Sequence, residues 1–180
     1  ADELRSALVD FRERSGKPII CYTMNADMRE YYIASVADSI FMEPMGHLSI
    51  TGYAATPMYF RRMLDKIGVQ AQFARVGRYK AATEMWTDST LSDTYRRQLE
   101  ALLGDWHDRF VGAIAQSRNV SADSISGLID RGIYTANDAM EHGLIDGIHH
   151  EDEAFDAVAQ MIGEENGSKV FLAKRRPYDE

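Results

Sequence analysis

Cysteine, clustered basic charge and long apolar runs are all scarce in this sequence. Cys21 is the single cysteine among 180 residues, so no internal disulfide can form and cysteine usage leaves the compartment open. It sits in Pro18-Ile19-Ile20-Cys21-Tyr22, an apolar run of strand length where core packing is the expected role. A reactive thiol needs a nearby base, and none is signalled. Twenty lysines and arginines stand against 28 aspartates and glutamates, a formal net charge of -8. Phosphate contacts need clustered cations, so nonspecific nucleic-acid binding is not expected. The short run Lys174-Arg175-Arg176 is a feature of the tail. The longest apolar runs fall far short of the roughly 20 residues that cross a bilayer, so the sequence as given is expected to hold no membrane span, with any anchor outside it. Metal-ligand spacing is missing too. Among His47, His107, His142, His149 and His150, only His149-His150-Glu151-Asp152 brings histidine beside carboxylates, and those side chains point apart or sit at a helix start. No metal and no cofactor is expected. No Gly-x-Ser-x-Gly elbow supports a Ser-His-Asp triad, and no internal repeat is visible.

What is present suits a globular α/β body. Hydrophobic residues make up 45% of the chain and charged residues 27%, enough for one domain that buries about 70% of the unfolded chain's surface. Leu4, Ala7, Leu8 and Phe11 recur at helical spacing, Gly16 stops that helix, and Pro18 to Tyr22 reads as a strand. Tyr31 to Ala37 reads as a helix and Ser39 to Met42 as a short strand, with Pro44 and Gly46 as turn punctuation. Met58 to Ile67 forms a second amphipathic helix before Gly68, and Val69 to Val76 alternates like a strand that Gly77 ends. From the N-cap Ser92, the stripe Tyr95, Leu99, Leu102, Leu103, Trp106, Phe110, Val111 and Ile114 marks the longest helix. Ser121 to Ser124 opens another helix and Thr135 caps the next. Gly143 ends that one before a strand from Leu144 to Ile148, and Glu151 to Ile162 is the last helix. Such alternation predicts a mainly parallel sheet with outer helices, joined by right-handed crossovers.

Within Arg75-Val76-Gly77-Arg78-Tyr79-Lys80-Ala81-Ala82-Thr83-Glu84-Met85-Trp86, Lys80 falls just past a strand's carboxyl end, among aromatic and apolar neighbours. To act as a base near neutrality an ammonium must drop about three units from its usual value near 10.4, a preference of about 4 kcal/mol that burial beside hydrocarbon supplies. The same residues fit a surface lysine whose stem lies along an aromatic ring. Glu84 bears on the choice. Four residues after Lys80, it would form an ion pair on a helix and keep the lysine charged, so a base at Lys80 requires Glu84 to point elsewhere. Ser35 and Ser39 follow the pair Tyr31-Tyr32, where serines usually satisfy backbone groups.

Leu64-Asp65-Lys66-Ile67-Gly68-Val69, Arg75-Val76-Gly77-Arg78-Tyr79-Lys80 and Ile133-Tyr134-Thr135-Ala136 with Ala139-Met140-Glu141-His142-Gly143-Leu144-Ile145-Asp146-Gly147 resemble, in that order, the signal peptide peptidase A family. The likeness runs over roughly residues 1 to 160. It implies a crotonase/ClpP-like α/β fold, mainly a parallel sheet with outer helices, on which a serine attacks the peptide bond and a lysine is its base. In the family the serine opens a Ser-Gly-Gly-Tyr-Tyr-like segment a little over fifty residues before the lysine. Here Met28-Arg29-Glu30-Tyr31-Tyr32 stands in that place, with Met28 fifty-two positions before Lys80. Methionine cannot attack a carbonyl, and Arg29-Glu30 replaces glycines whose backbone would approach the substrate.

Long members of the family carry two tandem repeats, the amino-terminal one supplying the lysine and the carboxyl-terminal one the serine. The chain resembles the amino-terminal repeat, opening directly in a helix without the strands expected before it. Residues 1 to 163 are expected to form the domain, and 164 to 180 a linker toward the other repeat. The resemblance implies Lys80 as the catalytic residue, no cofactor, and peptide substrates in the form of cleaved signal peptides. It also implies the carboxyl-terminal repeat as partner, a homo-oligomer, and attachment to the extracytoplasmic (periplasmic) face of a bacterial inner membrane. Met28 is expected to face the groove or a partner domain, with Tyr31 and Tyr32 packed. Ser49 and Thr51 fall where the family lines its substrate groove. The alternative is a non-catalytic scaffold for oligomerisation and groove shape, with Lys80 a relic or the partner of Glu84. An acyl-CoA hydratase or isomerase on the same fold lacks an evident carboxylate pair.

Overall fold

A computed structural model describes residues 1–74 and 81–162, without the side chains of 160–162. The order along the chain is α1 (Asp2–Ser15), β1 (Ile20–Ala26), α2 (Met28–Ala34), β2 (Ser39–Ser49) and α3 (Arg61–Lys66). After a 3-10 turn (Ala81–Thr83) come α4 (Glu84–Thr87), α5 (Asp93–Arg118), α6 (Ala122–Arg131), β3 (Ile133–Thr135), α7 (Ala136–Glu141), β4 (Gly147–Ile148) and α8 (Glu151–Ile162). The chain divides into two compact units, Ala1–Ile50 with Arg131–Glu180, and Thr51–Asp130.

The first unit is built on a mixed, mainly parallel sheet centred on β2. β1 lies parallel to β2 from Ile20↔Ser39 to Ala26↔Leu48, and β4 is parallel to it at Phe41↔Gly147 and Met42↔Ile148. β3 is antiparallel, pairing His47↔Thr135 to Ser49↔Ile133. The expected α/β class with a mainly parallel sheet is therefore present. The strand expected over Ser39 to Met42 is longer than its sequence suggests, because it continues through Pro44 and Gly46. Those two residues mark an irregularity in pairing, which passes from Thr23↔Met42 to Asn25↔His47. A proline fits there because no ladder N–H is demanded of it. At Gly46 the partner backbone comes so close that a Cβ would lie 2.1 Å from the Met24 carbonyl oxygen.

Helix α1 ends as expected at Gly16, which adopts φ 63 and donates its N–H to the Arg12 carbonyl. Helix α2 starts at Met28, earlier than the tyrosine pair suggests, because Asp27 and Glu30 form a reciprocal capping box. The strand expected from Leu144 contracts to Gly147–Ile148. Leu144 instead closes the end of α7, donating its N–H to the Ala139 carbonyl after Gly143 at φ 68. Asp146 then ties both ways to β2: its N–H donates to the Ile40 carbonyl and its carboxylate accepts from the Ile40 N–H, each at 2.8 Å. Tyr31, Ile40, Met42, Leu48, Tyr134 and Leu144 are fully buried in this unit. The Tyr31 hydroxyl donates to the Leu144 carbonyl at 2.7 Å, so its ring is buried with no orphaned polar atom.

In the second unit the expected longest helix is α5, with 26 residues, opened by Ser92 accepting from the Tyr95 N–H and ended by Asn119 at φ 53. Its apolar stripe is buried only at Phe110, Val111 and Ile114, and α6 buries Ile125 and Ile129. Leu102 and Trp106 are 44% and 45% exposed. The helix expected over Met58 to Ile67 is shorter, Arg61–Lys66. Residues 69–74 form no strand. Among its described residues this unit has no other strand, so the alternation from Val69 to Ala74 finds no ladder to join.

Candidate functional site

The carboxyl end of a parallel strand is where open α/β sheets place their ligands. In the first unit the carboxyl end of β1 delivers Asp27 and then Met28, the first residue of α2. The Asp27 carboxylate accepts the Glu30 N–H at 2.8 Å, and the Glu30 carboxylate accepts the Asp27 N–H at 2.9 Å. An oxyanion hole needs amide donors open to the reacting oxygen. Here two amides of the turn are held by carboxylates, whose negative charge would repel a developing oxyanion.

Met28 is half-buried at this turn. Tyr31 is packed as expected, whereas Tyr32 is half-buried, its hydroxyl donating to Asp2 at 2.6 Å and its ring 4.9 Å from the Arg5 guanidinium carbon. Ser35 is buried. Its hydroxyl accepts from Arg5 Nη1 at 2.7 Å and donates to the Tyr32 carbonyl at 3.0 Å. A guanidinium donates but cannot take a proton, so Ser35 serves structure rather than attack. Ser39 opens β2 and Ser49 pairs with Ile133 at its far end, while Thr51 is exposed.

Lys80, with Arg75 to Tyr79, lies outside the described residues. The chain is described again from Ala81, where the 3-10 turn leads directly into α4. Glu84, the first residue of α4, is buried, and its Oε1 accepts from the Ser92 hydroxyl at 2.9 Å. The residue expected to point elsewhere than at Lys80 thus commits one oxygen to the N-cap of α5. The segment before α3 is fastened to α4: Phe60 donates its N–H to the Met85 carbonyl at 2.7 Å and stacks on Trp86 at 5.1 Å. Arg61 Nη1 donates to the Thr87 carbonyl at 2.8 Å. The Tyr59 hydroxyl oxygen is buried with no hydrogen-bond partner among the described residues, and burial, then the charge of Glu84, pushes its pKa up. Beside it is a cavity of about 190 Å³ walled by Met58, Tyr59, Ala81, Ala82, Met85 and Tyr95.

A polar cluster that sequence reasoning missed joins β1, β2 and His150, the residue just before α8, in the first unit. Tyr22 donates its hydroxyl to Glu43 at 2.6 Å, and His150 Nδ1 lies 2.8 Å from the other oxygen of Glu43. The bond to Glu43 pushes the Tyr22 hydroxyl up to about 12, and the same bond, followed by His150, draws Glu43 down. His149 meets the Phe41 ring edge-on at 4.9 Å, and His142 Nδ1 lies 2.8 Å from the Asp138 carbonyl. Among the described residues no group of three or more His, Cys, Asp or Glu side chains is arranged to hold a metal, and no helix is long and apolar enough to cross a membrane. Cys21 is half-buried, and burial pushes its thiol up.

The family model described as Peptidase family S49 matches residues 12–164. Protease 4 of Haemophilus influenzae is 33% identical over 124 residues, 69% of this chain and 20% of that protein. Protease 4 of Salmonella typhi is 29% identical over 165 residues, 87% of this chain and 26% of that protein. The chloroplastic serine protease SPPA of Arabidopsis thaliana is 23% identical over 177 residues, 98% of this chain and 26% of that protein. The chain thus spans at most 26% of the length of these curated relatives. Among solved structures, a mutant of a membrane-bound stomatin-specific protease superposes with a TM-score of 0.50 at 15% identity, covering 87% of this chain and 62% of that one, a likeness of fold alone.

Proposed function

The chain belongs to peptidase family S49, and on that premise we propose that it is the lysine-donating half of a serine/lysine peptidase whose nucleophile lies on a second, carboxyl-terminal repeat. The observation that carries this reading is the turn after β1. Met28 stands where the nucleophile is expected, and the flanking carboxylates of Asp27 and Glu30 take up the N–H groups of Glu30 and Asp27. In the whole protein a neutral Lys80 amine takes the proton from the serine hydroxyl as its oxygen bonds to the scissile carbonyl carbon. The same proton goes to the leaving amine as the C–N bond breaks. Water then hydrolyses the acyl-enzyme by the reverse relay. The substrates are peptides, cleaved signal peptides above all. The whole protein is a homo-oligomer attached to the extracytoplasmic face of a bacterial inner membrane by an anchor outside this chain, and it needs no cofactor.

The buried Glu84, four residues after Lys80, favours a second reading in which Lys80 is an ion-pair partner within a non-catalytic scaffold. Arginine separates the two. In the full-length parent, Lys80→Ala and Lys80→Arg should both abolish peptide hydrolysis while circular dichroism and the unfolding midpoint stay near wild type. A guanidinium keeps the charge but cannot release its proton at usable pH. Activity of the unmutated parent should rise with pH as the amine deprotonates. Near-normal turnover by Lys80→Arg favours the scaffold.

A further inference from the structure

The surface beside β1 is complementary to itself, and we propose that two copies of this chain join through it, pairing their β1 strands edge to edge and antiparallel about a two-fold axis at Tyr22. Among the described residues β1 pairs with β2 alone, so its other edge presents N–H and C=O groups that no described strand takes up. Natural edges are commonly guarded by a charge or a proline. β1 reads Ile20-Cys21-Tyr22-Thr23-Met24-Asn25-Ala26 and has neither. Side chains alternate along a strand, so Ile20, Tyr22 and Met24 share one face. At the amino end that face is hollow. Ile20, Tyr22 and Phe41 of the sheet, with Ala154, Phe155 and Val158 of α8, line an apolar cleft of about 350 Å³. Glu151 also lines it but is exposed, which keeps its carboxylate in water. At the carboxyl end the face projects instead, with Met24 63% exposed.

Hollow and projection thus sit at opposite ends of one strand, and a two-fold axis brings opposite ends together. With Tyr22 facing the partner's Tyr22, Ile20 faces the partner's Met24 and Met24 faces the partner's Ile20. Directly opposed side chains on one face lie about 4.5–5.5 Å apart at Cβ. Each methionine therefore reaches the other copy's cleft. At about 30 Å³ for each water-sized group, that cleft has ample room for the four side-chain heavy atoms of methionine. One register completes the ladder and fills both clefts. A peptide of arbitrary sequence would use the edge and leave Met24 in water, whereas a second copy covers both, so the occupant is a second copy. The inference goes beyond the peptidase reading and involves neither Lys80 nor the missing serine.

Sedimentation velocity over a concentration series should show this chain passing from monomer to dimer. Met24→Lys, at an exposed position that the fold does not need, drives a charge into each cleft and should weaken the dimer at least tenfold. Met24→Leu should change it less than threefold. Disulfides read the register. Opposed Cα atoms in an antiparallel ladder lie about 4.5–5.5 Å apart, within disulfide reach, and the proposed register sets Cys21 against the partner's Thr23. Wild-type chain mixed with a Cys21→Ser/Thr23→Cys chain should therefore form a mixed disulfide under diamide, which takes up the two thiol hydrogens. Wild type alone should form far less, because its two Cys21 side chains are two positions out of register. A wild-type chain that stays monomeric, Met24→Lys dimers as tight as wild type, or a mixed disulfide no more abundant than the wild-type one would each overturn the proposal. The same mixed pair should cross-link in the full-length parent. If it does so only in the isolated chains, another segment of the parent holds this edge, and self-pairing is overturned for the parent.

Discussion

At Glu43 two neighbours share one carboxylate, and the sharing sets how this part of the protein answers to pH. Tyr22 gives one oxygen a hydrogen bond at 2.6 Å and His150 faces the other at 2.8 Å. The Tyr22 hydroxyl is raised from 10.0 to about 12, so its contribution to stability is complete below pH 10 and fades as pH climbs toward 12. Glu43 is lowered, so its contribution is present above the ordinary carboxylate range and is lost as pH falls through the lowered value. Removing the hydroxyl should weaken both limbs. In Tyr22→Phe, the plot of thermal midpoint against pH should show a shallower fall on the alkaline side and a smaller acid-side gain than in wild type. An unchanged profile would mean that this bond does not form in solution.

At the scale of elements, the local code is strongest at helix ends. Ser92 does two jobs: its hydroxyl accepts the Tyr95 N–H at 3.1 Å and donates to the buried Glu84 at 2.9 Å. Loss of an N-cap side chain costs about 1 kcal/mol, and withdrawing a hydrogen bond from a buried acceptor costs about 1–3 kcal/mol. Ser92→Ala should therefore lower stability by about 2–4 kcal/mol, read from the urea midpoint. A loss under half a kilocalorie would show that Glu84 does not depend on Ser92.

The same elements show why some of the fold was legible and some was not. The ends of α1, the start of α5 and the cap of α7 were readable because their signals, Gly16, Ser92 and Thr135, lie within a few residues of what they satisfy. The length of β2 was not, since its bulge is imposed by Met24 across the sheet. Residues 69–74 alternate like a strand, but among the described residues of the second unit there is no strand for them to pair with. The stripe on α5 states which face is apolar but not how much of it is covered, hence the exposure of Leu102 and Trp106. Glu43 and His150 are 107 residues apart in sequence, beyond the reach of any local pattern. Lys80 stands out in the sequence through its family-like flanks, and the capping of the Met28 turn is written locally in Asp27 and Glu30.

For the molecule as a whole, these details converge on a chain that should not cleave peptides by itself. The serine nearest the expected nucleophile position, Ser35, is buried and bonded to Arg5 and the Tyr32 carbonyl. Incubation with a serine-directed phosphonate should leave no covalent adduct by mass spectrometry, and an adduct on Ser35 or Ser39 would sink the missing-nucleophile argument. Met28→Ser alone should not create activity either. The new hydroxyl would sit at a turn where Asp27 and Glu30 still hold two amides, and a single oxyanion donor is worth roughly a hundredfold to a thousandfold in rate. Turnover should instead require the carboxyl-terminal repeat. Chain and repeat expressed together should hydrolyse peptides when Lys80 is intact and fail to do so with Lys80→Ala. Activity that survives that substitution would place the base somewhere other than in this chain.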